Sequence, residues 1–174
     1  MEYTKYYSLE KIAVASNPVI SLEEVKQYLR VEHNDEDEII KDMILAALQT
    51  AEQFLNIEII PKKYIAKYQN ILLRKCILPL NPISKINAIR IKNYNEIKLI
   101  TNFEMTNDKI LNFKDLIYTN ELEIDFTTGF ENTEVLPKFI KQGVLLHTLK
   151  LYERKIDAFD EIYLIYQPYK KIRI

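Results

Sequence analysis

The spacing of apolar residues changes twice along this chain, so a fold built from one type of element cannot satisfy it. Between residues 36 and 55, apolar side chains recur every three or four positions, which is the period of one face of an α-helix. They are Ile40, Met43, Ile44, Ala47, Leu48, Ala51, Phe54 and Leu55. Across residues 63–127, apolar and polar residues alternate in several segments, and residues 137–156 return to helical spacing. The sequence therefore predicts helical segments on either side of a block of strands.

Local signals set two of the expected helix starts. Ser21 and Glu24 form a capping-box pattern, in which each side chain bonds the backbone N–H of the other residue, so a short helix is expected over residues 22–30. Pro137 is expected at the first position of the helix over residues 137–156, because a helix does not need the N–H that proline lacks at that position.

The run of carboxylates at residues 35–38 has two interpretations. At the start of the 36–55 helix, the carboxylates oppose the helix dipole favourably, and either Asn34 or Asp35 is expected to be the N-cap. Clustered carboxylates also bind divalent cations, but a calcium loop needs alternating ligands and a glycine at its bend. The run has neither feature, so capping is the favoured interpretation and no metal site is predicted.

Five segments that contain isoleucine, the first of them also with two tyrosines, are expected to form half-buried antiparallel strands, because β-branched and aromatic residues alternating with polar ones suit a sheet with one solvated face. These segments cover residues 63–73, 74–78, 84–92, 97–101 and 121–127. A short helix over residues 161–166, capped by Asp160, and an extended basic tail are expected at the C-terminal end. The predicted class is α+β in a single domain.

The composition excludes several classes of protein. The chain has 174 residues with one cysteine and two glycines, which leaves no internal disulfide framework, no cysteine-based metal cluster and no glycine-rich phosphate loop. No uncharged apolar run approaches the roughly 20 residues that span a bilayer, and the first residues lack the core of a signal peptide. We therefore expect a globular protein of a reducing compartment with no membrane segment.

Charge is strongly segregated although the formal net charge is −1. Residues 21–60 contain ten acidic and three basic residues, whereas residues 61–99 contain nine basic residues and one acidic residue. Residues 100–136 are again acidic and residues 137–174 are basic. The blocks either neutralise one another within the fold or give the molecule an acidic side and a basic side that bind copies of it head to tail.

Side chains capable of catalysis are few and lack partners in the sequence. His147 lies on the apolar face of a predicted helix, His33 precedes the acidic run, and Cys76 lies in a predicted strand. We expect a buried or interface histidine, a loop histidine and an inert buried thiol, so no catalytic or cofactor-binding residue is predicted. The basic strand block, with its interleaved tyrosines, leaves a non-catalytic nucleic-acid-binding protein as the alternative function.

The opening of the chain resembles that of the tailed-phage head–tail connector (adaptor) family. Residues 18–30 (PVISLEEVKQYLR) are followed by the short acidic loop of residues 31–37 (VEHNDED) and by a helix that ends in residues 52–55 (EQFL). Members of that family typically begin with this order of a short helix, an acidic loop and an acid-capped helix.

Later segments resemble the same family. Residues 78–83 (LPLNPI) are similar to its entry into a central hairpin, and residues 124–130 (IDFTTGF) to the end of a strand. Residues 136–154 are similar to its closing helix, and residues 166–170 (YQPYK) to its C-terminal ending. The resemblance spans residues 18 to 174 and best fits the longer phage subgroup, which has a strand insertion between the helices.

The resemblance implies a mainly helical connector fold with an inserted antiparallel β block over about residues 63–127. One connector domain of residues 1–174 would comprise a helical pair (18–56), the β insertion (62–130) and a closing helix with a C-terminal arm (137–174). It further implies a structural protein that forms a portal-matched, dodecamer-like ring under the portal. That ring would join the DNA-filled head to a stopper or tail-completion protein in the virion neck, after synthesis in the host cytoplasm.

The resemblance and the charge pattern together give two sets of candidate residues. DNA would pass through the channel without sequence-specific binding, and no cofactor or membrane is involved. For the contact between subunits we expect an acidic helix surface facing a basic strand surface of the neighbour: Asp35, Glu36, Asp37, Glu38 and Asp42 against Arg74, Lys85, Arg90 and Lys92. For docking on the portal we expect an arm consisting of Tyr166, Pro168, Tyr169, Lys170, Lys171 and Arg173.

Overall fold

The computed structural model describes residues 6–15, 19–94, 96–107, 109–154, 164, 166 and 167. The chain divides into two compact units. One, here called the strand unit, consists of residues 1–15 and 61–129. The other, the helical unit, consists of residues 16–60 and 130–174. No helix in the described part of the chain is both long and apolar enough to cross a bilayer.

The strand unit is a six-stranded antiparallel sheet. Its strands are β1 (Ser8–Val14), β2 (Lys62–Ile77), β3 (Ile83–Asn93), β4 (Glu96–Leu99), β5 (Phe103–Thr106) and β6 (Ile110–Thr128). The strand order is β1-β2-β6-β3-β4, and β5 pairs with β6 off this path. Every pair is antiparallel, as predicted for the β block.

Alternation along β2 and β6 produces the core of the strand unit. Tyr64, Ala66 and Tyr68 on β2 lie opposite Phe126, Ile124 and Leu122 on β6, and all six side chains are buried. The rings of Tyr64 and Phe126 stack with centroids 5.9 Å apart. Because paired residues share a face of the sheet, this row fixes the register, and a slip of either strand by one residue would move its three side chains out of the core.

The helical unit contains α1 (Leu22–Leu29), α2 (Asp37–Leu55) and α3 (Lys138–Tyr152). Half of the predicted capping box of α1 is present, since the backbone N–H of Glu24 donates to Oγ of Ser21 at 3.2 Å. The carboxylate of Glu24, which was predicted to accept from the Ser21 N–H, instead forms an ion pair with Lys141 on α3. The apolar stripe of α2 is buried as predicted, and Asn56, with a positive φ of 54°, ends the helix.

The core of the helical unit draws on all three helices and on the C-terminal segment. Its buried members include Val25, Ile44, Leu48, Val144 and Tyr166. Tyr166 has an exposed fraction of 0%, and its ring lies 6.2 Å from that of Phe54. Gly143 on α3 provides the space for this ring, because a Cβ at that position would overlap the tyrosine.

The prediction of a mainly helical fold is wrong, although the α+β class is confirmed. More residues lie in strands than in helices, because β2 is a single 16-residue strand and β6 extends over 19 residues. The segments predicted at 63–73 and 74–78 are one strand with a register irregularity between Leu73 and Lys75. β1 and β5 were missed because their residues are mostly exposed and show no clear alternation of burial.

Several predicted boundaries also shift. The residue that caps α2 is Glu36, without a side-chain cap bond, and not Asn34 or Asp35. Pro137 precedes α3 and accepts its first backbone bonds instead of occupying its first position. Residues 155 and 156 of the predicted third helix lie outside the described residues, as does most of the predicted helix over residues 161–166.

The fit between Gly143 and Tyr166 gives a first prediction. Gly143→Ala should lower the free energy of unfolding by roughly 1–3 kcal/mol, the usual cost of overpacking a core. In a Tyr166→Ala background the same change should be neutral or stabilising by up to about 1 kcal/mol, because alanine favours a helix over glycine. Urea unfolding of the four proteins of this double-mutant cycle measures the coupling. Equal effects of Gly143→Ala in both backgrounds would contradict the packing described.

Candidate functional site

Part of the acidic run is used inside the helical unit. Nζ of Lys26 on α1 lies 2.6 Å from Oδ1 of Asp37 and 2.7 Å from Oδ1 of Asn34. The lysine side chain is 12% exposed, so this contact is largely shielded from solvent. Because Lys26 engages the Asn34 side chain, that side chain is directed to the lysine, which accounts for the wrong prediction that it caps α2.

Glu36 links the start of α2 to the end of α3. The hydroxyl of Tyr152 donates to Oε2 of Glu36 at 2.6 Å, and this hydrogen bond to the carboxylate raises the pKa of Tyr152. Nε2 of His33 lies 3.7 Å from the same oxygen. Glu36 and Asp37 therefore connect helices within one chain, a role that sequence reasoning missed because their partners are distant in sequence.

The other predicted interface acids face solvent. Asp35, Glu38 and Asp42 are exposed, and Glu38 forms an i,i+3 ion pair with Lys41 at 2.6 Å. Glu38 and Asp42 lie one turn apart on the exposed side of α2. Of the five predicted interface acids, these three are the exposed ones.

The basic strand surface is largely neutralised by the strand between its two halves. On β6, Glu123 accepts a hydrogen bond from Arg90 on β3 at 2.7 Å and lies 4.0 Å from Lys67 on β2. Asp125 is buried and lies 3.1 Å from Lys63. A strand from an acidic block thus lies between two strands from the basic block. For these residues, the segregated charge of the sequence is neutralised within the fold.

Three of the predicted basic interface residues have no such partner. Arg74, Lys85 and Lys92 are exposed, and within the part of the chain that the structure describes none of them forms an ion pair. Arg90, the fourth, is engaged by Glu123. The strand unit therefore retains an accessible basic surface that is smaller than the nine basic residues of its sequence block imply.

The predicted portal-docking arm is described only at its first residue. Tyr166 lies in the core of the helical unit, where burial raises the pKa of its hydroxyl. Pro168, Tyr169, Lys170, Lys171 and Arg173 lie outside the described residues. Tyr166 itself packs beside Phe54 of α2 and Gly143 of α3.

The candidate reactive groups lie in apolar surroundings. His147 on α3 is buried, and desolvation lowers its pKa, so the neutral imidazole is favoured. Burial raises the pKa of the Cys76 thiol to about 11, which disfavours the nucleophilic thiolate. Among the described residues, no three His, Cys, Asp or Glu side chains are grouped so that they could hold a metal ion.

Comparison with the models of known protein families identifies the family of this chain. Residues 18–156 match the model of the family described as head completion protein, which is most of the sequence and includes residues of both units. The chain belongs to the head completion protein family. This assignment confirms the resemblance to head–tail connectors and the prediction of a structural role at the head–tail junction. No curated protein matches the chain.

Solved structures share the fold at low sequence identity. A chain from the neck of an empty gene transfer agent (GTA) particle, computed with C6 symmetry, is 18% identical, with a TM-score of 0.72 over 96% of this chain and 97% of that one. A chain from the virion of the native GTA particle gives the same identity and TM-score over 95% and 96%. A chain from the neck of the native particle, computed with C12 symmetry, is 19% identical, with a TM-score of 0.67 over 96% and 97%.

The division of the acidic run into internal and accessible carboxylates is testable. Asp37→Lys should lower the free energy of unfolding by roughly 1–3 kcal/mol, because it leaves the shielded Lys26 without its carboxylate and places a positive charge at the positive end of the helix dipole. Asp42→Lys, on the same helix, should change it by no more than about 0.5 kcal/mol. Urea unfolding measures both, and equal losses would contradict the distinction.

Proposed function

We propose that this chain is the structural connector subunit of a phage-like particle. It forms a ring beneath the portal and joins the DNA-filled head to the stopper or tail. The observation that carries the proposal is the family match over residues 18–156, which includes the helices and most of the sheet. After synthesis in the host cytoplasm, the subunit takes its place in the virion neck.

Similarity of fold to neck chains supports the ring. Two of those chains come from particle necks computed with C6 and C12 symmetry, and a twelvefold portal-matched ring agrees with both. The portal is one partner and a stopper or tail-completion protein is the other. DNA passes through the channel without sequence-specific recognition. The role is mechanical and requires neither catalysis nor a cofactor.

We propose that the two units act together as one connector domain of residues 1–174. The helical unit carries the accessible acids Asp35, Glu38 and Asp42, and the strand unit carries the accessible bases Arg74, Lys85 and Lys92. A contact between different surfaces of neighbouring copies is heterologous, and such contacts close into rings when the rotation between copies allows it. Unequal charge on the two units thus suits head-to-tail assembly.

A charge exchange tests this contact. Replacing Asp35, Glu38 and Asp42 with lysine should reduce ring formation on the portal, since like charges would then face each other. Replacing Arg74, Lys85 and Lys92 with glutamate in the same chain should restore it. Negative-stain electron microscopy of portal mixed with each variant counts complete rings. Lysine at Glu131 and Glu134, also exposed, is the matched control. Undiminished assembly of the acid-to-lysine variant would refute the pairing.

The C-terminal arm is the proposed contact with the portal. Its residues Pro168, Tyr169, Lys170, Lys171 and Arg173 combine aromatic and basic groups in a short segment that follows the buried Tyr166. Tyr166 serves as the anchor from which the arm extends. The arm can therefore be removed without removing the anchor.

Truncation after Gln167 should abolish binding to the portal and leave the free energy of unfolding unchanged, because Tyr166 is kept. Truncation after Asp160 should abolish portal binding and also lower the free energy of unfolding, since the core then lacks the tyrosine ring. Pull-down on immobilised portal and urea unfolding provide the two readouts. Full portal affinity in the chain truncated after Gln167 would refute the docking role.

The function itself is tested by deletion of the gene in the cell that produces the particle. DNA-filled heads without tails should accumulate, and expression of the full chain should restore tailed particles. Normal yields of tailed particles after deletion would overturn the proposal.

A further inference from the structure

Large apolar side chains face solvent on the two longest strands, β2 and β6, although other side chains of the same strands form the buried core. Leu72 on β2 is 65% exposed and lies directly opposite Tyr118 on β6, which is 74% exposed. Leu116, two residues along β6, is 52% exposed. Since directly opposed residues share a face of a sheet, Leu72 and Tyr118 form one surface, and Leu116 adjoins it. These three residues of the sheet are called the arm patch below, and they are distinct from the C-terminal arm.

The arm patch has a basic border. Arg74 follows Leu72 by two residues, and Lys75 and Lys114 are also exposed, against one exposed acid, Asp115. The β2–β6 pairing passes over residues 113–116, where the register shifts, and within this segment Lys114 and Leu116 are exposed. Sequence reasoning missed the patch because Leu72 and Tyr118 alternate with the buried Ile71 and Ile117, and either set fits a core.

A surface of matching character lies on α2. Ile39 is 55% exposed and Leu45 is 46% exposed, and Ala46 is exposed beside them. On the same side of the helix lie Glu38 and Asp42, and the exposed Lys41 pairs with Glu38, so two acids and one base leave this surface with a net negative charge. The three apolar residues and the two acids, called the helix stripe below, combine an apolar surface with negative charge, whereas the arm patch combines an apolar surface with positive charge.

We propose that the helix stripe of one copy binds the arm patch of the next copy. The proposal rests on the connector role argued above and specifies its subunit contact. The occupant is a second copy because the chain itself carries a stripe with the opposite charge and an apolar centre of its own. An apolar centre bordered by complementary charge is the usual composition of a specific interface. The two surfaces belong to different units, so the contact is heterologous and suits a ring.

Cross-linking within assembled particles tests the contact. Gln49→Cys, at the end of the helix stripe, and Lys114→Cys, at the border of the arm patch, are introduced together, and purified particles are treated with a short bismaleimide. The native Cys76 is buried and remains in all variants. Head-to-tail contact predicts a ladder of covalent dimers, trimers and higher species on a denaturing gel. Gln49→Cys combined with Thr101→Cys, an exposed loop position outside the patch, should give no ladder.

A second variant tests the apolar centre. Leu72→Ser with Tyr118→Ser, in the cross-linking background, should abolish the ladder and prevent incorporation into particles, although the purified chain still folds and unfolds cooperatively in urea. Ile97→Ser, which removes another exposed apolar residue of the same unit, should leave both unchanged.

The outcomes separate the two proposals. A ladder that requires the cysteine pair and disappears with the serine variant supports the contact. Chains that enter particles without giving a ladder, or serine variants that enter as well as the parent, overturn the contact and leave the connector role intact. Absence of the unmodified chain from particles overturns the connector role and, with it, the contact.

Discussion

Antiparallel pairing of β2 with β6 is the interaction on which the strand unit depends. The pair runs from Lys62 opposite Thr128 to Ile77 opposite Ile110. β1 joins the other edge of β2, whereas β3 and β5 join β6, so each remaining strand attaches directly or through β3 to this pair. Its register places six side chains of each strand in the core, and it places Lys63, Lys67, Glu123 and Asp125 on the opposite face. A change in this register would therefore disturb core, charge and edge strands together.

The same register explains how strongly segregated charge becomes compatible with a stable sheet. Acidic residues of β6 lie within a few ångströms of basic residues of β2 and β3. Like charges repel one another within each block of the sequence, but the opposite charges of the two blocks attract one another across neighbouring strands. What remains accessible is a smaller set of charges near apolar side chains. In the proposed contact between copies, the apolar surface would provide the binding energy and the charges would select the partner.

Sequence alone predicted the elements whose signals are local. The Ser21 cap and the buried stripe of α2 each depend on residues within a few turns of one another. Features that depend on distant partners were missed. Two contacts decide which acids are accessible: the hydrogen bond from Tyr152 to Glu36 and the salt bridge from Lys26 to Asp37. No sequence pattern identifies either pair. Placement of Tyr166 beside Gly143 required α3 and the C-terminal segment to be folded together.

Electron cryo-microscopy of particles purified from the cells that encode this chain would show whether it is a subunit of the neck. We expect a closed ring of copies with this fold between the portal and the tail, related by rotation about the channel that DNA follows. A complete neck, resolved at the level of side chains, in which no subunit has the fold of this chain would contradict that expectation.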